Sequence, residues 1–230
     1  MQEKDFQKFI TITVVFGIIV WSLFIYLGNS QLLSLDALRA IGPTITVLVV
    51  SWALYFKWGW KIPVLKYLMY KPDLSGTWLG MFHSDWKDEQ GRGVKPAKMV
   101  LVIRQNWLTI SVIAMTERFK SRSYAEFLSF NEDKGIKLLA YLYSDTSTSF
   151  GKEGAREGVA ELELTDSIPK RLNGKFWTSS KTAGIMSLRF ISSETIDTFN
   201  QAIEEWSEDN NWEKLQQSMG LNEQSYRKLR

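Results

Sequence analysis

The sequence predicts a membrane-anchored all-β protein of 230 residues: two N-terminal transmembrane helices, an eight-stranded antiparallel up-and-down β-barrel, and a C-terminal helical tail. Three observations lead there. Two stretches without a charged residue, 9–27 and 41–56, lie close together near the N-terminus. From Gly76 onward the apolar period changes from helical to two, the mark of half-buried strands. Joins such as Asn131-Glu132-Asp133 and Thr116 to Lys120 are short and turn-like, which suits hairpins between neighbours, and no helix-length pattern intervenes between the runs, which argues against parallel strands joined by helices.

The first apolar stretch, taken as a helix at 1.5 Å per residue, reaches roughly 28 Å, enough to span a bilayer. It exceeds the apolar run of a secretory signal, and Gly28-Asn29-Ser30 is a poor cleavage site, so an uncleaved span is expected. Residues 28–40 form a polar connection with Ser34 as a helix cap, and Pro43 falls in the first turn of the second span, where a missing N–H is tolerated. Beyond Phe56 come Lys57-Trp58-Gly59-Trp60-Lys61, aromatics and lysines of the kind found where a helix enters the headgroups. Lys57, Lys61, Lys66 and Lys71 follow this span, against Arg39 alone in the connection, so the positive-inside rule places both termini in the cytoplasm. The chain is thereby divided into 1–70, a two-helix hairpin with an interfacial exit; 71–192, a cytoplasmic barrel; and 193–230, an acidic helical tail.

Eight strands are predicted: 76–83, 98–105, 107–116, 121–130, 134–144, 156–165, 173–178 and 184–192. An antiparallel barrel of this size closes its own edges and can hold one small ligand. The opening Gly76-Thr77-Trp78 is similar to the first strand of lipocalin-like barrels. After Ser192, Ile196, Phe199, Ile203 and Trp206 recur at helical spacing, giving an apolar stripe on a helix capped by Ser193 or its neighbour.

Composition narrows the chemistry. There is no cysteine, which excludes disulfides and thiolate catalysis, and His83 is the single histidine, without a carboxylate spacing that suggests a metal site. No nucleophile elbow or His-based triad is present, so no enzyme and no cofactor are expected, although a carboxylate-only site stays open.

Following each strand's apolar face to its end locates a polar rim. Ile110, Val112 and Ala114 share a face with Thr116; Ser121 and Ser123 are expected to share one with Ala125 and Phe127; Leu139 aligns with Tyr141 and Tyr143. Ala160, Leu162 and Leu164 align with Arg156, and Phe176 with Thr178. An up-and-down order gathers Thr116, Ser121, Ser123, Tyr143, Arg156 and Thr178 at one end, with Arg92, Lys95, Arg118, Lys120, Arg122, Lys152 and Lys181 in or beside its loops. That predicts an electropositive mouth facing away from the bilayer, fitted to phosphate oxygens and stacked bases. Solvent-facing rims are polar in any case, so solubility explains the same pattern.

Several segments carry a resemblance: Leu74-Ser75-Gly76-Thr77-Trp78, Ile103-Arg104-Gln105-Asn106-Trp107, Thr116 through Ser121-x-Ser123, Tyr141-x-Tyr143, and Leu172-Asn173-Gly174-Lys175-Phe176-Trp177-Thr178 through to Gly184. Behind two spans, they resemble the two-transmembrane, β-strand-rich effectors of bacterial CBASS anti-phage operons. The resemblance implies a barrel that binds a cyclic dinucleotide, homo-oligomerises and compromises the inner membrane, with the lipid bilayer as a partner and no DNA or RNA polymer. It implies Ser121, Ser123, Tyr141, Tyr143, Thr178, Lys181 and Thr182 as ligand contacts; Thr116, Arg122 and Arg156 join them from charge and position. Trp78 and Trp107 are expected to pack the barrel floor. The competing reading is a membrane-tethered, lipocalin-like carrier of a small apolar molecule.

Overall fold

The computed structural model describes residues 3–29, 31–131, 135–145 and 157–207. The chain separates into two compact units: Met1–Asp73 with Asn106–Thr109, and Leu74–Gln105 with Ile110–Arg230.

The first unit is a helix hairpin. Its elements are α1 (Glu3–Leu27), α2 (Leu35–Arg39) and α3 (Ile41–Lys57). Ser34 caps α2 as expected, its hydroxyl accepting the Ala37 N–H at 3.2 Å. Two stretches, Phe6–Leu27 and Leu35–Lys57, are long and apolar enough to cross a membrane. The hairpin closes on aromatic rings: Phe9 lies 4.6 Å from Trp52 and 6.1 Å from Phe56, while the Trp21 indole donates to the Ala37 carbonyl at 2.9 Å. Two short 3₁₀ turns, Gly59–Lys61 and Leu65–Tyr67, follow α3. Trp107 belongs to this unit and does not pack the barrel floor: its ring lies 5.1 Å from Phe56, in a cluster with Tyr55, Trp60 and Met69. The cause is local. Asn106 accepts the N–H groups of Leu108 and Thr109 on its side chain, making a turn that takes Trp107 out of the strand predicted for it.

The second unit is a closed eight-stranded barrel in simple up-and-down order, as predicted. Its strands are β1 (Gly76–Ser84), β2 (Ala97–Gln105), β3 (Ile110–Met115), β4 (Lys120–Asn131), β5 (Ile136–Asp145), β6 (Glu157–Thr165), β7 (Arg171–Thr178) and β8 (Ala183–Ser192), the last pairing back on β1. Alternation sends one set of side chains inward, among them Leu101, Val112, Leu139, Leu162, Leu172 and Leu188, which form the interior core. One end is closed. There Trp78 is fully buried, its indole donates to the Leu74 carbonyl at 2.9 Å, and Phe190 meets it edge-on at 5.2 Å.

The barrel also buries part of its outer face. Leu79, Val100, Val102 and Met115 pack against Ile196 and Ala202, with Phe199 and Ile203 beside them, so α4 (Phe199–Ser207) lies on β1 to β3. The predicted stripe is present up to Ile203; the Trp206 side chain lies outside the described residues. The cap differs from expectation. Residues 193–198 are not helical and are tied to β1 by Thr77, whose hydroxyl donates to the Glu194 carbonyl at 2.6 Å and accepts the Ile196 N–H at 3.3 Å. The helix therefore starts later, with Thr198 rather than Ser193 accepting the Gln201 N–H.

Candidate ligand-binding site

The odd-numbered strands run from the closed end to the rim and the even-numbered strands return. This order places Thr116, Ser121, Tyr143 and Thr178 at one end, as the sequence pattern predicts, with Thr182 beside them. Ser121 is buried opposite Ala114, and Thr178 stands opposite Gly158 at the head of β6. Arg156 and Lys152 lie outside the described residues.

Two tyrosines form a step down the interior. Tyr143 is half-buried at the rim and Tyr141 is buried one layer below, their ring centroids 5.9 Å apart and tilted by 50°. Space for the upper ring comes from Gly158, where an added Cβ would stand 2.4 Å from the Tyr143 hydroxyl oxygen. Burial raises the Tyr143 phenol to about 12. Burial, and then the neighbouring Tyr143, raises Tyr141 still further. Both rings therefore carry a proton at neutral pH and can donate to an anionic oxygen.

The other hydroxyls have local duties. Thr116 accepts the N–H groups of Arg118 and Phe119 at 3.3 and 3.2 Å, so its side chain holds the turn between β3 and β4. Thr178 and Thr182 share a hydrogen bond between hydroxyl oxygens 2.6 Å apart across the last rim turn. Between them, Lys181 is exposed, with φ of 58° in the left-handed region.

Strand β4 departs from expectation. Its pairing with β5 runs Ser121 to Asp145, Arg122 to Ser144 and Ser123 to Tyr143, then shifts by one residue, so that Ala125 meets Leu142 and Glu126 meets Tyr141. Tyr124 is the extra residue of a β-bulge. Below it the inward set becomes Glu126 and Leu128, while Phe127 is 64 % exposed. Ser121 and Ser123 thus do not share a face with Ala125 and Phe127. At the same point the β3 pairing stops: the Val112 N–H is accepted at 2.8 Å by Ser123 Oγ rather than by a backbone carbonyl, and that hydroxyl donates to the Glu126 carboxylate. Arg122, between two inward serines, pairs with Ile113 and is exposed on the outer face, which removes it from the barrel interior.

The rim charge is also more mixed than expected. Arg92 is paired with Asp88 at 2.8 Å, and hydrogen bonds from Arg92 hold the Asp88 carboxyl below its usual range. Lys120 donates to the Asp197 carbonyl at 3.0 Å, beside α4. Lys95, Arg118 and Lys181 are exposed, and the same loops carry Asp85, Glu89 and Glu117.

Sequence reasoning missed two interior side chains at this end, Phe82 and Glu126. Phe82 lies 6.3 Å from Phe119 and 6.0 Å from Phe176, both edge-on, and Glu126 lies beneath the bulge. Alternation along β1 marks Phe82, since it shares a face with Trp78. No sequence signal marks Glu126.

Together the closed sheet, the apolar floor and the hydroxyl-bearing, aromatic rim give the barrel one apolar end and one polar end. The family model described as Cap15, cyclic dinucleotide receptor domain, matches residues 69–189, more than half of the chain, and the protein belongs to that family. It is a family of ligand receptors, and the resemblance to CBASS effectors is thereby shown. Among curated proteins, none matches the chain.

Proposed function

We propose that this protein is a cyclic-dinucleotide-activated membrane effector of abortive anti-phage defence. The ligand enters the rim end of the barrel, its binding favours side-by-side association of copies, and the gathered helix hairpins disrupt the bacterial inner membrane. The receptor-domain match over 69–189 carries this reading, and the two apolar helices ahead of it support the membrane step. The lysines after α3 favour cytoplasmic termini, where the messenger would be made.

Within the barrel, Tyr141, Tyr143, Ser121, Thr178, Thr182 and Lys181 are the proposed ligand contacts. The tyrosines offer faces and protonated hydroxyls, and Lys181 with the paired threonines suits phosphate oxygens. Ser123 acts through its bond to Glu126, and Thr116 through the turn that it closes. No group in this scheme needs to change covalently.

Calorimetry of the full chain in lipid nanodiscs, with a panel of cyclic dinucleotides, tests the first step. Micromolar or tighter binding of at least one member, weakened by added salt, is the expected result. Absence of heat with all of them overturns the proposal. Dye release from liposomes carrying the protein tests the second step, with leakage expected only when the bound ligand is added.

A further inference from the structure

The bulge at Tyr124 turns a carboxylate into a barrel whose ligand is anionic, which needs a reason. Glu126 is half-buried opposite Tyr141, one layer below Ser123 and Tyr143. Its position is set from above: Ser123 Oγ accepts the Val112 N–H and donates its own proton to Glu126 Oε1. The second carboxylate oxygen and the spare lone pairs of the first remain acceptors.

We infer that Glu126 reads the base of the bound cyclic dinucleotide and selects guanine, an inference that rests on the receptor reading above. A carboxylate at this depth repels the ligand's phosphates. They stay at the rim, near Lys181 and the threonines, and a base is the part of the ligand that reaches Glu126. The pairing edge of guanine offers two adjacent donors, N1–H and the N2 amino group, which match the two oxygens of one carboxylate. Adenine presents a lone pair at N1, which a carboxylate opposes, and uracil presents one N–H flanked by two carbonyl oxygens. A site built to accept hydrogen bonds rejects a ligand that lacks the donors more strongly than a missing apolar contact would. Tyr141 and Tyr143, on the neighbouring strand at the same two levels, supply aromatic surface beside the base.

The test is calorimetry of the full chain in nanodiscs with cyclic di-GMP, cyclic di-AMP and cyclic di-UMP, on the natural protein and on Glu126→Gln. Glutamine keeps the volume and an acceptor for Ser123, but its amide matches adenine. The natural protein should prefer cyclic di-GMP by about tenfold or more, and the variant should lose that preference and shift toward cyclic di-AMP. A purely structural Glu126 would lower the melting temperature and weaken all ligands together; an unchanged ratio among the three overturns the inference. So does a natural preference for cyclic di-AMP or cyclic di-UMP. If the natural protein binds none of the three but binds a cyclic dinucleotide that lacks guanine, the receptor reading survives and the guanine inference fails; if it binds no cyclic dinucleotide at all, both fail.

Discussion

At the closed end of the barrel, polar groups are spent on one another: the Trp78 indole on the Leu74 carbonyl, and the Leu74 N–H on the Gln105 side chain at 2.8 Å. At the rim end, the interior includes two tyrosine rings, two serines and a carboxylate. Both ends are made by the same eight strands and the same alternation. The difference teaches that one core carries an apolar, internally satisfied layer and a polar, aromatic layer; under the proposed function the first holds the fold and the second meets the ligand, so substitutions at the two ends should separate stability from binding.

The largest effect is expected at the floor. Trp78→Ala empties a fully buried site and removes a hydrogen bond, and should lower unfolding free energy by about 3–5 kcal/mol, read from denaturant melts in detergent. A loss under about 1 kcal/mol would mean that the floor collapses readily, and the contrast between the two ends would fail. Next is Gly158→Ala. The new methyl would stand 2.4 Å from the Tyr143 hydroxyl and 2.6 Å from the Trp177 carbonyl, so it should cost about 1–3 kcal/mol and also displace the upper tyrosine, weakening the ligand.

Tyr143→Phe sharpens the comparison, because it leaves the ring and removes only the hydroxyl. Ligand affinity should fall about tenfold, with the melting temperature at neutral pH nearly unchanged. The same variant has a pH signature. The folded-state value of about 12 lies above the ordinary 10.0, so the folded protein holds this proton more tightly than the unfolded chain does. The stability from this group is fully present below pH 10 and is lost as pH rises toward 12. Melting temperature should therefore fall less steeply across that window in the variant. The smallest effect belongs to Arg122→Ala on the outer face, which should leave ligand affinity within about twofold. A tenfold loss would return Arg122 to the site.

Much of this was legible in the residues. The inward rows of β3, β5, β6 and β7 follow from strict alternation, and they predict which tyrosines and threonines share the rim end. Arg122 lies outside the barrel interior for an equally simple reason: charge suggested it for the site, while alternation between Ser121 and Ser123 turns it to the outer face. Trp107 failed because a side-chain turn at Asn106 overrode the strand propensity of its neighbours. Thr116 kept its place at the rim, but the short turn it closes takes up its hydroxyl.

By itself the sequence determined two membrane-length apolar helices and eight strands with no helix between them, from which an antiparallel barrel is expected, because hydrophobic period is a local property of a chain. Only the tertiary structure decided where β3 stops pairing with β4. At that point Ser123 replaces a backbone acceptor, Tyr124 bulges, and Glu126 turns inward in place of Phe127. A bulge is a property of two strands meeting, and a single strand's residues do not carry it. The seat of α4 was settled in the same way, because its apolar stripe is local but the outer face of β1 to β3 that covers it is assembled from distant parts of the chain.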